Sequence, residues 1–234
     1  HASIRWRKTQ LEPGISKLVT KISKELDSQK DSGWFFDVGA NVGLYSWEVC
    51  KVSPHRKILA FEPDPENIKL LEKTLNRANF QNVELCKCAL SNQLAEVSFF
   101  QDNLTSATGC VAGKDKPWIE QYLNGSANEI RVKTETLDLI VRKDRTPSLI
   151  KIDVEGHEVE VLQGARNTIR EAKPMMIIES FPPKQSTVLS LLHELGYRSM
   201  DADHHTSINP KTTNLFAWHP QGPLKAAAIQ KLIN

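Results

Sequence analysis

Hydrophobic positions change period repeatedly along the chain, and the changes mark out alternating helices and strands. Ile15, Leu18, Val19, Ile22 and Leu26 recur at spacings of three and four, which predicts an amphipathic helix over about 14–29. Asp31-Ser32-Gly33 stops that pattern. Trp34–Val38 is then a short apolar run ending at glycines, the signature of a strand buried on both faces. A helix from about Gly43, a strand over Lys57–Phe61 and a helix opening at Pro65 and closing at Asn79 follow. Val83–Leu90 and Glu96–Phe100 read as the next strands. From about Gln101 to Ser126 the periodicity is lost around Gly109, Gly113, Pro117 and Gly125, which predicts a long functional loop. Ile130–Thr134 is a strand and Thr136–Val141 a helical turn. Ser148–Val154 is a strand, followed by one helix over Glu158–Ala172 and a strand over Pro174–Ser180. A helix over Gln185–Leu195 and two short strands, Tyr197–Asp201 and Leu215–Trp218, complete the pattern.

Strands alternating with helices imply parallel pairing through right-handed crossovers, so an α/β three-layer, doubly wound sheet, with the last two strands as an antiparallel edge. Ligands of such sheets sit beyond the carboxyl ends of the strands, where strand order reverses.

The first buried strand runs into Asp37-Val-Gly39-Ala-Asn41-Val-Gly43. Glycines at this turn let the backbone approach a ligand closely, and the next helix presents its free N–H groups. The dinucleotide pattern would need glycines at 39, 41 and 44; Asn41 and Leu44 depart from it and disfavour a nicotinamide cofactor. Nineteen residues past Gly43 the second strand ends at Glu62, where a carboxylate matches the two hydroxyls of a ribose. Asp64, just before Pro65, suits a helix cap instead. Ala89 and Ser91 end the third strand, in reach of a base. Lys151 and Asp153 interrupt an otherwise apolar strand, and buried charge is costly without a partner or a purpose. Glu155, His157 and Glu179 lie at the same rim, with His157 also readable as a plain helix-start residue. His204, His205 and Asn214 are further candidates for an acceptor pocket.

Composition narrows the function. The 234 residues hold 30 Lys+Arg against 28 Asp+Glu, a formal charge of +2, which makes no whole-molecule case for nucleic acid. No apolar run approaches the ~18 residues of a membrane span. Cys50, Cys86, Cys88 and Cys110 form no CxxC pair, so they read as structural thiols in a reducing, cytoplasmic setting. Cys86 and Cys88, two apart, point to one face of a strand. No spacing demands a metal.

DVGANVGLYS, AFEPDP, ALSN, the TLD at 136–138, IKIDVEGHEVEVLQGA and IIES, in that order from about Phe35 to Trp218, resemble the FkbM family of S-adenosylmethionine-dependent methyltransferases. The resemblance implies a Rossmann-like seven-stranded, mostly parallel sheet with an antiparallel last strand. The class I methyltransferase domain would cover 33–220, after an N-terminal helical segment at 1–32 and before a C-terminal tail at 221–234. It also implies S-adenosyl-L-methionine as cofactor and methyl transfer to a hydroxyl of a small molecule or glycan. On that basis Asp37, Gly39, Asn41 and Gly43 hold the methionine end, Glu62 the ribose, and Ala89 and Ser91 border the adenine. Asp153 is the first candidate base, Glu155, His157 and Glu179 are alternates, and Lys151 orients a carboxylate or lowers the energy of the developing oxyanion. Methyltransferases of nucleic-acid amino groups carry an Asn/Asp-Pro-Pro-aromatic block where this chain has Asp153-Val-Glu155-Gly156, which disfavours a base as acceptor. An NAD-dependent oxidoreductase and an inactive nucleoside-binding module are the alternatives.

Overall fold

The computed structural model describes residues 13–102, 109–111, 127–141 and 143–233. Helix α1 (Pro13–Ser28) precedes strand β1 (Trp34–Val38), α2 (Leu44–Val52), β2 (Ile58–Phe61), α3 (Pro65–Ala78) and β3 (Val83–Cys86). Then come β4 (Ala89–Leu90), β5 (Ala95–Asp102), β6 (Gly109–Val111), β7 (Ala127–Glu135) and the short α4 (Leu137–Ile140). Strand β8 (Pro147–Ile152), α5 (Glu158–Gly164), α6 (Arg166–Ala172), β9 (Met175–Glu179), α7 (Lys184–Glu194), β10 (Arg198–Asp201), β11 (Asn214–Trp218) and α8 (Ala226–Ile233) complete the elements of the described residues.

Seven strands form the main sheet in the order β10-β11-β9-β8-β1-β2-β3. β9, β8, β1, β2 and β3 pair in parallel, and β11 runs antiparallel to both its neighbours. The expected mostly parallel Rossmann-like sheet is present, with its antiparallel strand. Strand order reverses between β1 and β8, so the crevice for a ligand opens above that pair.

Two-sided burial explains the continuous apolar runs. Every residue of β1, β2 and β8 is buried. Phe35, Ile58, Leu149, Ile177 and Phe216 pack on one face against Ile15, Val19, Ile22 and Leu26 of α1 and Ile229 and Leu232 of α8. Phe36, Leu59, Ile150, Ile152 and Ile178 pack on the other against Val161, Leu162, Ile169, Val188 and Leu192 of α5 to α7. Helix α8 lies in the segment expected as a tail, and both α1 and α8 share the core of the sheet they flank.

Four expectations change. The single strand read over Val83–Leu90 is two: β3 pairs β2, whereas β4 crosses to a second sheet ordered β4-β7-β5-β6. The strand read over Glu96–Phe100 is longer, because β5 pairs with β7 over eight positions. Part of the expected 101–126 loop is strand β6, paired with β5; residues 103–108 and 112–126 lie outside the described residues. The helix read over Glu158–Ala172 breaks at Ala165, and the Asp138 carboxylate accepts the backbone N–H groups of Asn167 and Thr168 at 3.0 and 2.8 Å. That cap satisfies donors which a continuous helix would have paired internally.

One buried cation ties α1 to the sheet. Arg56, 4% exposed, donates from Nη2 to Asp27 at 2.6 Å and from Nη1 to Asp31 at 3.1 Å and to the Gly33 carbonyl. Replacing it leaves Asp27, Asp31 and that carbonyl without their shared donor. Arg56→Met is expected to lower the unfolding free energy by about 2 kcal/mol, read from urea denaturation, without moving the main-sheet site.

Candidate functional site

The turn after β1 is shaped by contacts that leave no room for side chains. Gly39 has φ +78°, and a Cβ there would lie 1.8 Å from the Asp153 carbonyl oxygen. The turn is therefore pressed against the end of β8. Gly39 and Ala40 donate their N–H groups to the Phe61 carbonyl, and Asp153 donates its own to Val38. Three strand ends are thereby locked side by side. Gly43, at φ +83°, precedes α2, and a Cβ there would lie 2.4 Å from the Trp47 ring.

Glu62 bridges two turns. Its Oε2 accepts the Asn41 N–H at 2.7 Å, and its Oε1 accepts the Asp64 N–H at 2.9 Å and the Asn67 amide at 3.5 Å. It is only 4% exposed, and burial pushes its carboxyl up to about 7 against those hydrogen bonds. Asp64 caps α3 as its position before Pro65 suggests, accepting the Glu66 N–H at 2.8 Å, and it also accepts Gln101 Nε2 at 2.9 Å.

A cleft partly open to solvent lies over this floor, its empty space about 650 Å³ when counted out into the solvent at its mouth. Gly39, Asn41, Glu62, Ala89, Asp153, Glu155 and His157 line it, together with Asn67, Cys88, Leu90, Phe99 and Val111. Seven residues singled out in the sequence therefore meet in one place. Asp37, Gly43, Lys151, Ser91 and Glu179 do not line it.

Asp37 points the other way. Its Oδ2 accepts the N–H and the hydroxyl of Ser46 at 3.0 and 2.6 Å, fastening the first turn of α2 to β1. Burial pushes its carboxyl up to about 6, opposed by Ser46 and by the Lys151 charge. Lys151 lies in register with Asp37 on the adjacent strand and is fully buried, with its ammonium 5.2 Å from the Tyr45 ring centroid and 3.3 Å from Asp153 Oδ2. Asp153, 26% exposed at its side chain, reaches the cavity. Burial raises its carboxyl, but the Lys151 charge, a hydrogen bond shared with the Glu179 carboxyl and one from Lys151 outweigh that, leaving it below the usual aspartate range. Asp153 is thus held ionised, with Lys151 and Glu179 behind it.

His157 precedes α5, but its ring is inside rather than on the surface. Nε2 lies 3.0 Å from Ser91 Oγ and Nδ1 3.6 Å from Glu160. Burial lowers its pKa, and Lys184 adds to that while Glu160 opposes it. Ser91 reaches the site only through this ring. Glu155 and Gly156, at φ +52° and +95°, turn the chain above the cavity, and Lys184 donates to the Gly156 carbonyl at 2.8 Å. His204 and His205 stand apart: His204 is mostly exposed on Asp201, and His205 Nδ1 lies 3.0 Å from the Ile233 carbonyl. Asn214 is buried opposite Glu179 on β11 and donates to Asp203.

Phe99 and Val111 were not foreseen. They come from the second sheet, where Phe99 packs with Ala89 and Val132, and nothing in their local pattern shows that this sheet folds over the cavity. Asn67 was more accessible to inference, since it lies five residues after Glu62 on the inner face of α3.

The match to the methyltransferase FkbM domain spans residues 37–199 and so takes in every wall of the cavity. The chain belongs to this family. It is 27% identical over 169 residues to the hexuronic acid methyltransferase AglP of Haloferax volcanii, covering 70% of this chain and 64% of that one. It is 28% identical over 187 residues to methyltransferase sdnD of Sordaria araneosa, covering 69% and 72%. Among solved structures, methyltransferase FkbM from Methylobacillus flagellatus superposes with a TM-score of 0.56 at 21% identity, over 80% of this chain and 44% of that one, which shows a shared fold. The chain thus spans about two thirds or less of AglP and of that structure. Among the described residues, no helix is long and apolar enough to cross a membrane.

The raised Glu62 carboxyl gives a signed pH test. Its ordinary value is 4.5 and its folded value about 7, so the folded state prefers it protonated. Its contribution to stability is full below the unfolded value, falls as pH rises towards about 7, and stays low above. Urea unfolding of the wild type and of Glu62→Gln at about pH 5 and about pH 8 isolates this group. The stability of the wild type relative to the variant is expected to fall between the two pH values; an unchanged difference contradicts the burial account.

Proposed function

We propose that the chain binds S-adenosyl-L-methionine in the cavity above β1 and β8 and transfers its methyl group to an oxygen, a hydroxyl of a small molecule or glycan. The observation that carries this reading is Glu62: a carboxylate almost fully buried at the end of β2, lining the cavity and tying the glycine turn to the start of α3. Oε2 accepts from Asn41 and keeps a lone pair for a ribose hydroxyl. The turn at Gly39–Asn41 would border the methionine end, and Ala89, Leu90 and Phe99 would form the apolar wall for adenine. Gly43 and Asp37 support the turn from behind.

The cofactor supplies an already activated methyl on a sulfonium, so the protein has three tasks: alignment, proton removal and exclusion of water. Asp153 is the group in this chain placed for the second. It faces the cavity, is ionised at neutral pH, and is fixed by Lys151 at 3.3 Å and by Glu179. A hydroxyl donating to it is oriented with a lone pair towards the methyl and loses its proton as the new bond forms. His157 is less suited, because both ring nitrogens already face Ser91 and Glu160. Glu155 lines the same wall and can hold an acceptor hydroxyl.

The hexuronic acid named for AglP is a sugar with both hydroxyl and carboxylate oxygens, and the Asp153 and Glu155 carboxylates in the cavity can accept from the hydroxyls of such an acceptor. A carboxylate acceptor needs no base, which makes the Asp153 variant informative about the oxygen used.

Calorimetric titration with S-adenosylhomocysteine, and with NAD in a parallel cell, tests the cofactor. Micromolar binding of the first and none of the second is expected, and Glu62→Ala is expected to abolish it. Binding of NAD alone overturns the reading. With a panel of sugar acceptors including hexuronic acids, Asp153→Asn is expected to keep S-adenosylhomocysteine affinity and lose about 10²–10⁴-fold in methyl transfer. Undiminished transfer removes Asp153 as the base.

A further inference from the structure

Two thiols, one in the wall of the cavity and the other in contact with it, have no part in the reaction described above. β3 ends at Cys86, the chain turns through Lys87, and Cys88 leads into β4. The two sulfurs, expected on one face, lie 3.3 Å apart. Cys86 is half-buried, and Cys88, only 5% exposed, lines the cavity beside Ala89 and Leu90. The same short segment carries the ribose residue: the Cys86 carbonyl accepts the Glu62 N–H at 3.1 Å, and Cys86 pairs with Phe61 across the sheet. A change at this pair therefore reaches both the ribose and the base side of the cavity.

The two thiols are not equivalent. The hydrogen bond from Cys88 holds the Cys86 thiol below its ordinary range, against burial and the Glu135 charge and with help from Arg145. Cys88, as the donor in that bond and through its burial, is pushed up. Cys86 is the sulfur that ionises first, and the thiolate is the nucleophile.

We propose that Cys86 and Cys88 are a peroxide-sensitive thiol pair, and that closing it to a disulfide distorts the cofactor wall and lowers cofactor affinity. This rests on the cofactor reading above. The Cys86 thiol gives up its proton and its thiolate attacks one oxygen of hydrogen peroxide; the O–O bond breaks, the hydroxide that leaves takes up that proton as water, and Cys86 becomes a sulfenic acid. Cys88 gives up its proton and attacks the Cys86 sulfur; the S–S bond forms, the S–O bond breaks and water leaves. Two thiols are oxidised by two electrons in total, and hydrogen peroxide is reduced to two waters. A disulfide needs its sulfurs at about 2.05 Å, so the two side chains must close from the 3.3 Å contact. Cys88, which lines the cavity, is drawn towards Cys86 beside the carbonyl that holds the Glu62 N–H.

Trypsin cuts after Lys87, between the two cysteines, so a bridge leaves two peptides joined. Cys110 shares the tryptic peptide of Cys88, and the experiment is therefore done on the full chain with Cys110→Ser. After hydrogen peroxide, the joined species, lighter by two hydrogens than the sum of its parts, is expected. S-adenosylhomocysteine affinity is expected to weaken on the order of tenfold, as a displaced wall warrants, and to recover with dithiothreitol. Adding Cys86→Ser is expected to remove both the joined species and the loss, each protein being compared with its own untreated sample. Oxygen added to either sulfur without joined peptides overturns the proposal, as does a bridge that leaves affinity unchanged or an equal loss in the Cys86→Ser protein. Failure of the untreated protein to bind S-adenosylhomocysteine overturns the cofactor reading and the coupling with it, while the peptide map still decides the bridge.

Discussion

Burial of carboxylates at the ends of adjacent strands is the constraint on which the site depends. Asp37, Glu62 and Asp153 end or follow β1, β2 and β8, and a charge removed from water must be compensated where it sits. Each is compensated differently: Asp37 by the N–H and hydroxyl of Ser46, Glu62 by backbone N–H groups from two turns, Asp153 by the Lys151 ammonium. These partners set the position of α2, the shape of the glycine turn and the aim of the carboxylate that faces the cavity. The acids thus organise the backbone before they meet any ligand.

Strand alternation divides their work. Asp37 and Lys151, paired in register, point to the face covered by α1 and α2, whereas Val38 and Ile152 point to the face covered by α5 and α7. Lys151 therefore acts from beneath, on Asp153, and Asp37 acts on the start of α2. Gly39 lets the β1 turn and the β8 end touch, so that Glu62 and Asp153 open on one cavity from two strands. The second sheet adds apolar lining through Phe99 and Val111. That lining, the Glu62 carboxylate and the ionised Asp153 share one cavity, and the proposed nucleoside cofactor and hydroxyl acceptor rest on that combination.

Much of this was legible along the chain because local chemistry specified it. Asp64-Pro65 marks a helix start on its own terms, and the apolar run of β1 ending in glycines can hardly be anything but a buried strand meeting a turn. Glu62 and Asp153 were visible as acids at the ends of apolar strands. What escaped depended on distant partners. The break at Ala165 follows from Asp138, 29 residues before Asn167, offering its carboxylate to α6. The switch of β4 to another sheet depends on β7, more than 40 residues away. Phe99 and Val111 enter the cavity through that same non-local pairing. Ser91, at the end of β4, touches His157 rather than the cavity, a consequence of α5 packing so closely that Gly164 meets the Ser91 carbonyl.

The most direct measurement is a crystal structure with S-adenosylhomocysteine bound. The account predicts a ribose hydroxyl on Glu62 Oε2, the methionine end along Gly39–Asn41, adenine against Leu90 and Phe99, and the sulfur turned towards Asp153. A nucleoside bound elsewhere, or a ribose that leaves Glu62 bonded only to its own backbone partners, would contradict it.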